Sequence, residues 1–119
     1  MTSRFSIQKH VASHLHWDLR LERKGILKSW AIPKEPPIVK GVRRLAIEVD
    51  DHDLSFINFE GVIPEGEYGA GAISLWDSGS YELLSEDDRG MKLLLSGKRL
   101  SGKYTLHRFE GTKWLFFKN

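Results

Sequence analysis

The feature that most constrains this chain is a hydrophobic period of two. Apolar and polar residues alternate through Phe5-Ser6-Ile7-Gln8-Lys9, through Trp17-Asp18-Leu19-Arg20-Leu21-Glu22 and through Arg44 to Val49. A strand sends successive side chains to opposite faces, so this period predicts half-buried strands. Lys24-Gly25 reads as a turn into a second hairpin strand, Ile26 to Ile32, which Pro33, Pro36 and Pro37 end because proline cannot donate to a ladder. Ala72 to Trp76 reads as a strand, Asp77-Ser78-Gly79 as a turn, and Ser80 to Leu84, Lys92 to Leu95, Lys103 to Arg108 and Lys113 to Lys118 as further strands. Phe56 to Gly71, rich in glycine and proline, reads as a loop with at most a short helical turn. Strands this short, with turns between them, predict an all-β sandwich or barrel.

The 119 residues make one domain, 1–119, long enough to bury a core without disulfide staples. There is no cysteine, which excludes a disulfide framework, a thiolate metal site and a cysteine nucleophile, and fits a reducing cytoplasm. No apolar run reaches the length of a membrane span, and Met1-Thr2-Ser3-Arg4-Phe5 does not read as a signal peptide, so a soluble cytoplasmic protein is expected. The net charge is only +2, from 18 basic and 16 acidic residues, below what a dedicated nucleic-acid scaffold carries. The basic residues crowd between Lys9 and Arg44 and much of the acidic charge lies between Glu48 and Asp88, so an anion would be met by the first part of the chain.

Histidines concentrate in two segments. In the first, Gln8 to Arg20, side chains two apart share a strand face: His16, Asp18 and Arg20 on one, Trp17, Leu19 and Leu21 on the other. Two imidazoles and a carboxylate hold a divalent cation and leave positions open. His16 and Asp18 supply two ligands from one strand, and the turn from Val11 to Leu15 can bring His10 beside them. Arg20, one step further along, has the planar fork that suits a phosphate. In the second segment, Leu45, Ile47 and Val49 take one face, and Arg44, Glu48, Asp50 and His52 the other if the strand persists. His52 suits either a general acid or a phosphate contact, with Glu48 or Asp50 to orient it. Lys34, at a strand end, is a further phosphate partner.

A plainer reading stands beside this one: histidine, aspartate and arginine two apart are often a solvated face or a cross-strand pairing network. His14 reads as a turn residue and His107 as a surface or cross-strand residue. Trp30, Trp76 and Trp114 read as core, and Phe116-Phe117 as a strand reaching both faces. The glycine-rich stretch Gly61 to Gly71 lacks the lysine and hydroxyl pair of a phosphate loop, so it reads as structural.

Together these segments resemble a known family. Gln8-Lys9-His10 to Arg20-Leu21-Glu22, Lys28-Ser29-Trp30-Ala31-Ile32-Pro33-Lys34, Arg44-Leu45-Ala46-Ile47-Glu48-Val49, Asp51-His52, Phe59 to Gly69 and Trp114-Leu115-Phe116-Phe117-Lys118 are similar, in order, to the 3′-phosphoesterase domain of bacterial DNA ligase D. The resemblance implies a compact β-barrel with a crater-like active site. It implies manganese, or another divalent transition metal, on His10, His16 and Asp18. It implies a scissile phosphate held by Arg20 and His52, with Lys34 and Arg44 as helpers. It also implies a nuclease of non-homologous end joining that removes a 3′-terminal ribonucleoside and then the 3′-phosphate from DNA or RNA–DNA primer–template ends.

Family members often carry tyrosine at the position of Phe56, and tend to have a longer arm than Met1 to Arg4 before the first strand. Without a ligase or polymerase region, the chain is expected to stand alone and could dock on a separate ligase or polymerase. Two rivals remain: a non-catalytic nucleic-acid-binding barrel, and a hydrolase of small phosphoesters.

Overall fold

The computed structural model describes residues 3–119, and among them the expected all-β architecture holds. Met1 and Thr2 lie outside the described residues, and the reading of the first residues as a non-signal start falls partly on them. Ser3 and Arg4, expected to precede the first strand, already belong to it.

Nine strands follow in order: β1 Ser3–Val11, β2 Leu15–Arg23, β3 Ile26–Ile32, β4 Arg43–Asp53, β5 Gly61–Ile63, β6 Gly71–Asp87, β7 Gly90–Gly97, β8 Ser101–Glu110 and β9 Lys113–Lys118. One 3-10 turn, Leu54–Phe56, interrupts them. Eight strands close into a ring in the order β1-β2-β3-β4-β9-β8-β7-β6, and β6 returns to pair with β1. All the strand pairings are antiparallel, and β5 adds itself to the start of β6. Closure removes the open edges that would otherwise recruit other chains. Among the described residues no helix is long and apolar enough to cross a membrane.

Alternation decides what fills the ring. Phe5, Ile7, Leu19, Leu21, Trp30, Ile32, Leu93, Leu95, Tyr104, Leu106 and Phe116 point inward and are fully buried. Trp30 and Trp114 meet edge to face with centroids 5.5 Å apart, as expected of core tryptophans. The hairpin from β2 to β3 turns through Lys24 (φ 49°) and Gly25 (φ 84°), both left-handed, which matches the twist of the flanking strands. The phenol of Tyr104 donates to the Pro37 carbonyl at 2.8 Å and ties down the proline-rich connection to β4.

Three expectations need correction. Asp77-Ser78-Gly79 is not a turn but the middle of β6. Trp76 bulges out of register with β1, which turns Asp77 inward. There its carboxylate accepts from the backbone N–H groups of Ser78, Lys98, Arg99 and Leu100 at 2.8–3.2 Å. Gly79 is needed because a Cβ there would run into the Ser96 carbonyl of β7. Second, Leu45, Ile47 and Val49 do not face the core. Ala46 does, and Leu45 is exposed. Third, the loop from Phe56 to Gly71 contains strand β5, too short to show a period in the sequence.

Replacing Asp77 by alanine strands four backbone donors at a site only 5% exposed. Urea unfolding is expected to show a loss of about 3 kcal/mol, against less than about 0.5 kcal/mol for Glu82→Gln on the surface of the same strand. Equal values for the two variants would remove Asp77 from its structural role.

Candidate metal centre

The outer face of β1, β2 and β3 is not solvated. Ser6, Gln8 and His10 on β1, Asp18 and Arg20 on β2, and Ser29 on β3 are all buried although polar. Their roof is the segment after β4: Gln8 donates from Nε2 to the Phe56 and Phe59 carbonyls at 2.8 and 3.2 Å, and Ile57 is buried beside it. Interior and exterior are thus both filled on this side of the barrel, and a cleft of about 910 Å³ opens between the polar layer and the loop that follows β5.

At the floor of the cleft, register places the ligand set. His10 lies directly across from His16 in the β1–β2 pairing, and their rings meet edge to face with centroids 4.7 Å apart. Asp18 is the next residue on the face of His16. Its Oδ2 is 3.2 Å from His16 Nε2, 3.6 Å from His10 Nδ1 and 3.7 Å from Arg20 Nη2. The outward nitrogen of each imidazole faces a backbone carbonyl: His10 Nε2 to Ala70 at 3.2 Å, and His16 Nδ1 to His14 at 3.1 Å. A carbonyl only accepts, so those nitrogens carry protons, and the other nitrogen of each ring, His10 Nδ1 and His16 Nε2, is the one that faces the carboxylate and can give a lone pair to a metal.

Three such atoms converging on one point need a proton or a metal cation between them, and in the metal-free protein a proton on His16 serves. The three ligand atoms lie within 4.8 Å of one another, compatible with metal–ligand bonds of about 2.0–2.2 Å. The carbonyls that orient the rings are the usual outer partners of metal-bound histidine. The residues therefore fit a divalent transition metal with open positions toward the cleft, and imidazole with carboxylate is a donor set shared by several such metals.

Charge follows the same geometry. In the metal-free protein, a hydrogen bond to Asp18 raises the pKa of His16 against the opposing effect of burial. Burial pushes the Asp18 carboxyl upward, but the hydrogen bond from His16 and the charge of Arg20 outweigh it and leave the carboxyl below its usual range. Arg20 is only 3% exposed. Burial lowers its pKa, with Asp18 opposing, and a guanidinium remains charged throughout.

Arg20 is aimed rather than merely buried. Its Nε donates to Gln8 Oε1 at 3.0 Å, its Nη1 meets His52 Nδ1 at 3.1 Å, and the Phe56 ring lies 5.4 Å from its Cζ. His52 Nδ1 is also 3.1 Å from the Asp50 carbonyl. In a neutral ring one nitrogen cannot both accept from Arg20 and donate to a carbonyl. The guanidinium is a permanent donor, so Nδ1 accepts and the proton sits on Nε2. Burial, with the charge of Arg20, lowers the pKa of His52 and keeps the ring neutral near pH 7.

His52 reaches this face only through a bulge. Val49 pairs with Ser29 and His52 with Leu27, so two residues of β4, Asp50 and Asp51, stand opposite the single Lys28. Strict alternation would have put His52 with Glu48 on the inner face. There Glu48 instead accepts from Trp114 Nε1 at 3.1 Å and lies 3.6 Å from Lys28 Nζ, so it does not orient His52.

The structure brings His10, His16, Asp18, Arg20 and His52 together in one cleft. Lys34 and Arg44 are not among the residues lining it. Lys34 is exposed, and Arg44 Nε donates to the Glu35 carbonyl at 2.7 Å, which anchors the segment that carries Lys34. Sequence reasoning passed over Gln8, although its place two residues before His10 on the same strand face was a signal. The stretch Ile63 to Gly71 is more than structural: it walls the cleft and supplies the Ala70 carbonyl to His10. Nothing in the sequence marks that carbonyl.

A family model described as the DNA Ligase D 3′-phosphoesterase domain matches residues 8–108. The multifunctional non-homologous end joining protein LigD of Mycobacterium bovis is 48% identical over 115 residues, covering 93% of this chain and 15% of that protein. The protein of the same description from Pseudomonas aeruginosa is 46% identical over 110 residues, covering 88% of this chain and 13% of its own length. That from Mycolicibacterium smegmatis is 43% identical over 123 residues, 94% of this chain and 16% of that protein. The chain thus spans only 13–16% of these relatives.

Histidine titration followed by NMR in the metal-free protein tests the charge arrangement. His16 is expected to titrate above an ordinary histidine and His52 below it. The raised pKa of His16 contributes stability that is complete below the unfolded-state value of about 6.5 and is lost as pH rises through the folded value. The lowered pKa of His52 acts the other way, costing stability as pH falls below about 6.5 toward its folded value. The same ordinary pKa for both rings would refute the arrangement.

Proposed function

The chain belongs to the DNA ligase D 3′-phosphoesterase domain family, and from that membership we propose that it is a manganese-dependent enzyme that heals 3′ ends in DNA strand-break repair. Its substrates are DNA or RNA-terminated primer–template ends. It removes a terminal 3′-phosphate and, where one is present, the terminal ribonucleoside before it. The observation that carries this reading is the single cleft in which a two-histidine, one-carboxylate set lies beside a buried, aimed arginine. A cytoplasmic setting and work beside ligase and polymerase activities belong to the same proposal.

His10, His16 and Asp18 would hold the metal, which when bound supplies Lewis acidity beside the phosphoryl oxygens. Arg20 neutralises charge that develops on the phosphoryl group. Gln8 and His52 fix its plane before substrate arrives, so little reorganisation is needed at the moment of reaction. His52, neutral and protonated at Nε2, donates to a phosphate oxygen. Its lowered pKa favours this role over that of a general acid, because a neutral imidazole parts with its proton reluctantly. Phe56 lies where a tyrosine would add a second donor: its ring centroid is 5.3 Å from that of His52.

A primer–template labelled at its 5′ end and carrying a 3′-phosphate tests the proposal. Conversion to a 3′-hydroxyl is expected with manganese and not with chelator. His10→Ala, His16→Ala and Asp18→Ala are expected to abolish it while keeping the circular dichroism of the folded barrel. Arg20→Ala is expected to lose about 100-fold or more in rate. Absence of conversion with any divalent metal would sink the enzymatic reading. Phe56→Tyr is expected to raise kcat, and no change would show that the missing hydroxyl is not needed here.

A further inference from the structure

The cleft is larger than its floor requires. A metal and a phosphate occupy a small part of about 910 Å³, so the upper walls must meet whatever the phosphate is attached to. Those walls include two aromatic side chains, Phe56 and Tyr68. Phe56 is committed: it stacks on Phe59 with centroids 4.7 Å apart and an interplanar angle of 10°, and it lies against Arg20. Tyr68 is not. It is 87% exposed, and among the described residues it makes no aromatic pair and no side-chain hydrogen bond.

An exposed ring on a loose tip would mean little, but this tip is built. Glu67 N donates to the Pro64 carbonyl at 3.3 Å and Ala70 N to the Glu67 carbonyl at 3.1 Å, giving two successive turns with Tyr68 at the second position of the latter. Gly66 (φ 87°) and Gly69 (φ 78°) supply the left-handed backbone those turns need. Two residues on, the Ala70 carbonyl holds His10. The position of Tyr68 is thereby tied to the metal ligands across the cleft.

We infer that Tyr68 is a specificity residue whose ring stacks on the nucleobase of the 3′-terminal nucleotide while that nucleotide's phosphate lies against Arg20. The inference rests on the 3′-end reading above and deepens it. A tyrosine offers a large flat face at the cost of ordering only two torsions, and every base has a matching face. Tyr68 therefore makes the enzyme tolerant of base identity but dependent on the presence of a base.

The test compares primer–template ends carrying a 3′-phosphate on a normal nucleotide and on an abasic one, with the wild type, Tyr68→Phe and Tyr68→Ala. The wild type is expected to favour the base-bearing end by about tenfold in kcat/KM. Tyr68→Phe keeps that preference. Tyr68→Ala loses it through a higher KM, with kcat held and activity on the abasic end unchanged. A preference that survives Tyr68→Ala overturns the inference, and so does a Tyr68→Phe variant as impaired as Tyr68→Ala, since that assigns the effect to the hydroxyl. A second readout separates this from the underlying function: 2-aminopurine placed as the terminal base, whose fluorescence stacking quenches, in chelator. Quenching by the wild type and not by Tyr68→Ala supports the stack even if no phosphate is ever released. Equal quenching by both proteins refutes it. A wild type inactive on both ends refutes the 3′-phosphoesterase reading instead.

Discussion

Pairing of β1 with both β2 and β6 is the contact on which this molecule turns. It closes eight strands into a ring, and closure fixes which side of every strand is inside. Once Phe5 and Ile7 point inward, Ser6, Gln8 and His10 must point outward. Once His10 stands across from His16, the β2 face carrying Asp18 and Arg20 lies beside it. The candidate ligands His10, His16 and Asp18 come together as a consequence of sheet register, not of a dedicated binding loop. A slip of one residue between β1 and β2 would part them and unmake the core in the same step.

The outer polar layer is costly by itself. A buried guanidinium and a buried carboxylate each lose hydration, and their mutual attraction repays this only with further hydrogen bonds. Here Gln8 serves both purposes: its carbonyl oxygen accepts from Arg20, and its amide donates to the roof at Phe56 and Phe59. The roof therefore depends on the site beneath it, and the site on the roof. Such an arrangement holds Arg20 in one orientation in a dry setting, where an anion bound to it gains most.

Two bulges show how the fold departs from simple alternation where function or packing requires it. At Trp76 the bulge turns Asp77 inward to gather the backbone of the turn after β7. At Asp50 and Asp51 it turns His52 outward, onto the side of the barrel where Arg20 lies. Neither is visible in a pattern of apolar and polar residues. For that reason the sequence pointed to a turn at Asp77-Ser78-Gly79, and placed His52 on one face with Glu48.

Period-two alternation determined β1, β2 and β4 and the inward faces of β1 and β2, and Lys24-Gly25 marked the hairpin turn into β3. The spacing of His16, Asp18 and Arg20 determined that an imidazole, a carboxylate and a guanidinium share one face. These are local properties, set by strand geometry over a few residues. Tertiary structure alone decided that this face is buried, because its roof arrives from Leu54–Phe56 and the loop after β5, far away in sequence. It decided that Ala46 and not Leu45 faces the core, since which parity of β4 turns inward depends on its neighbours β3 and β9. It also left Lys34 and Arg44 outside the cleft that His10, His16, Asp18, Arg20 and His52 line. Their charge was legible in the sequence, but their direction was not, because the crossing from β3 to β4 is set by long-range contacts such as Tyr104 to Pro37 and Arg44 to Glu35.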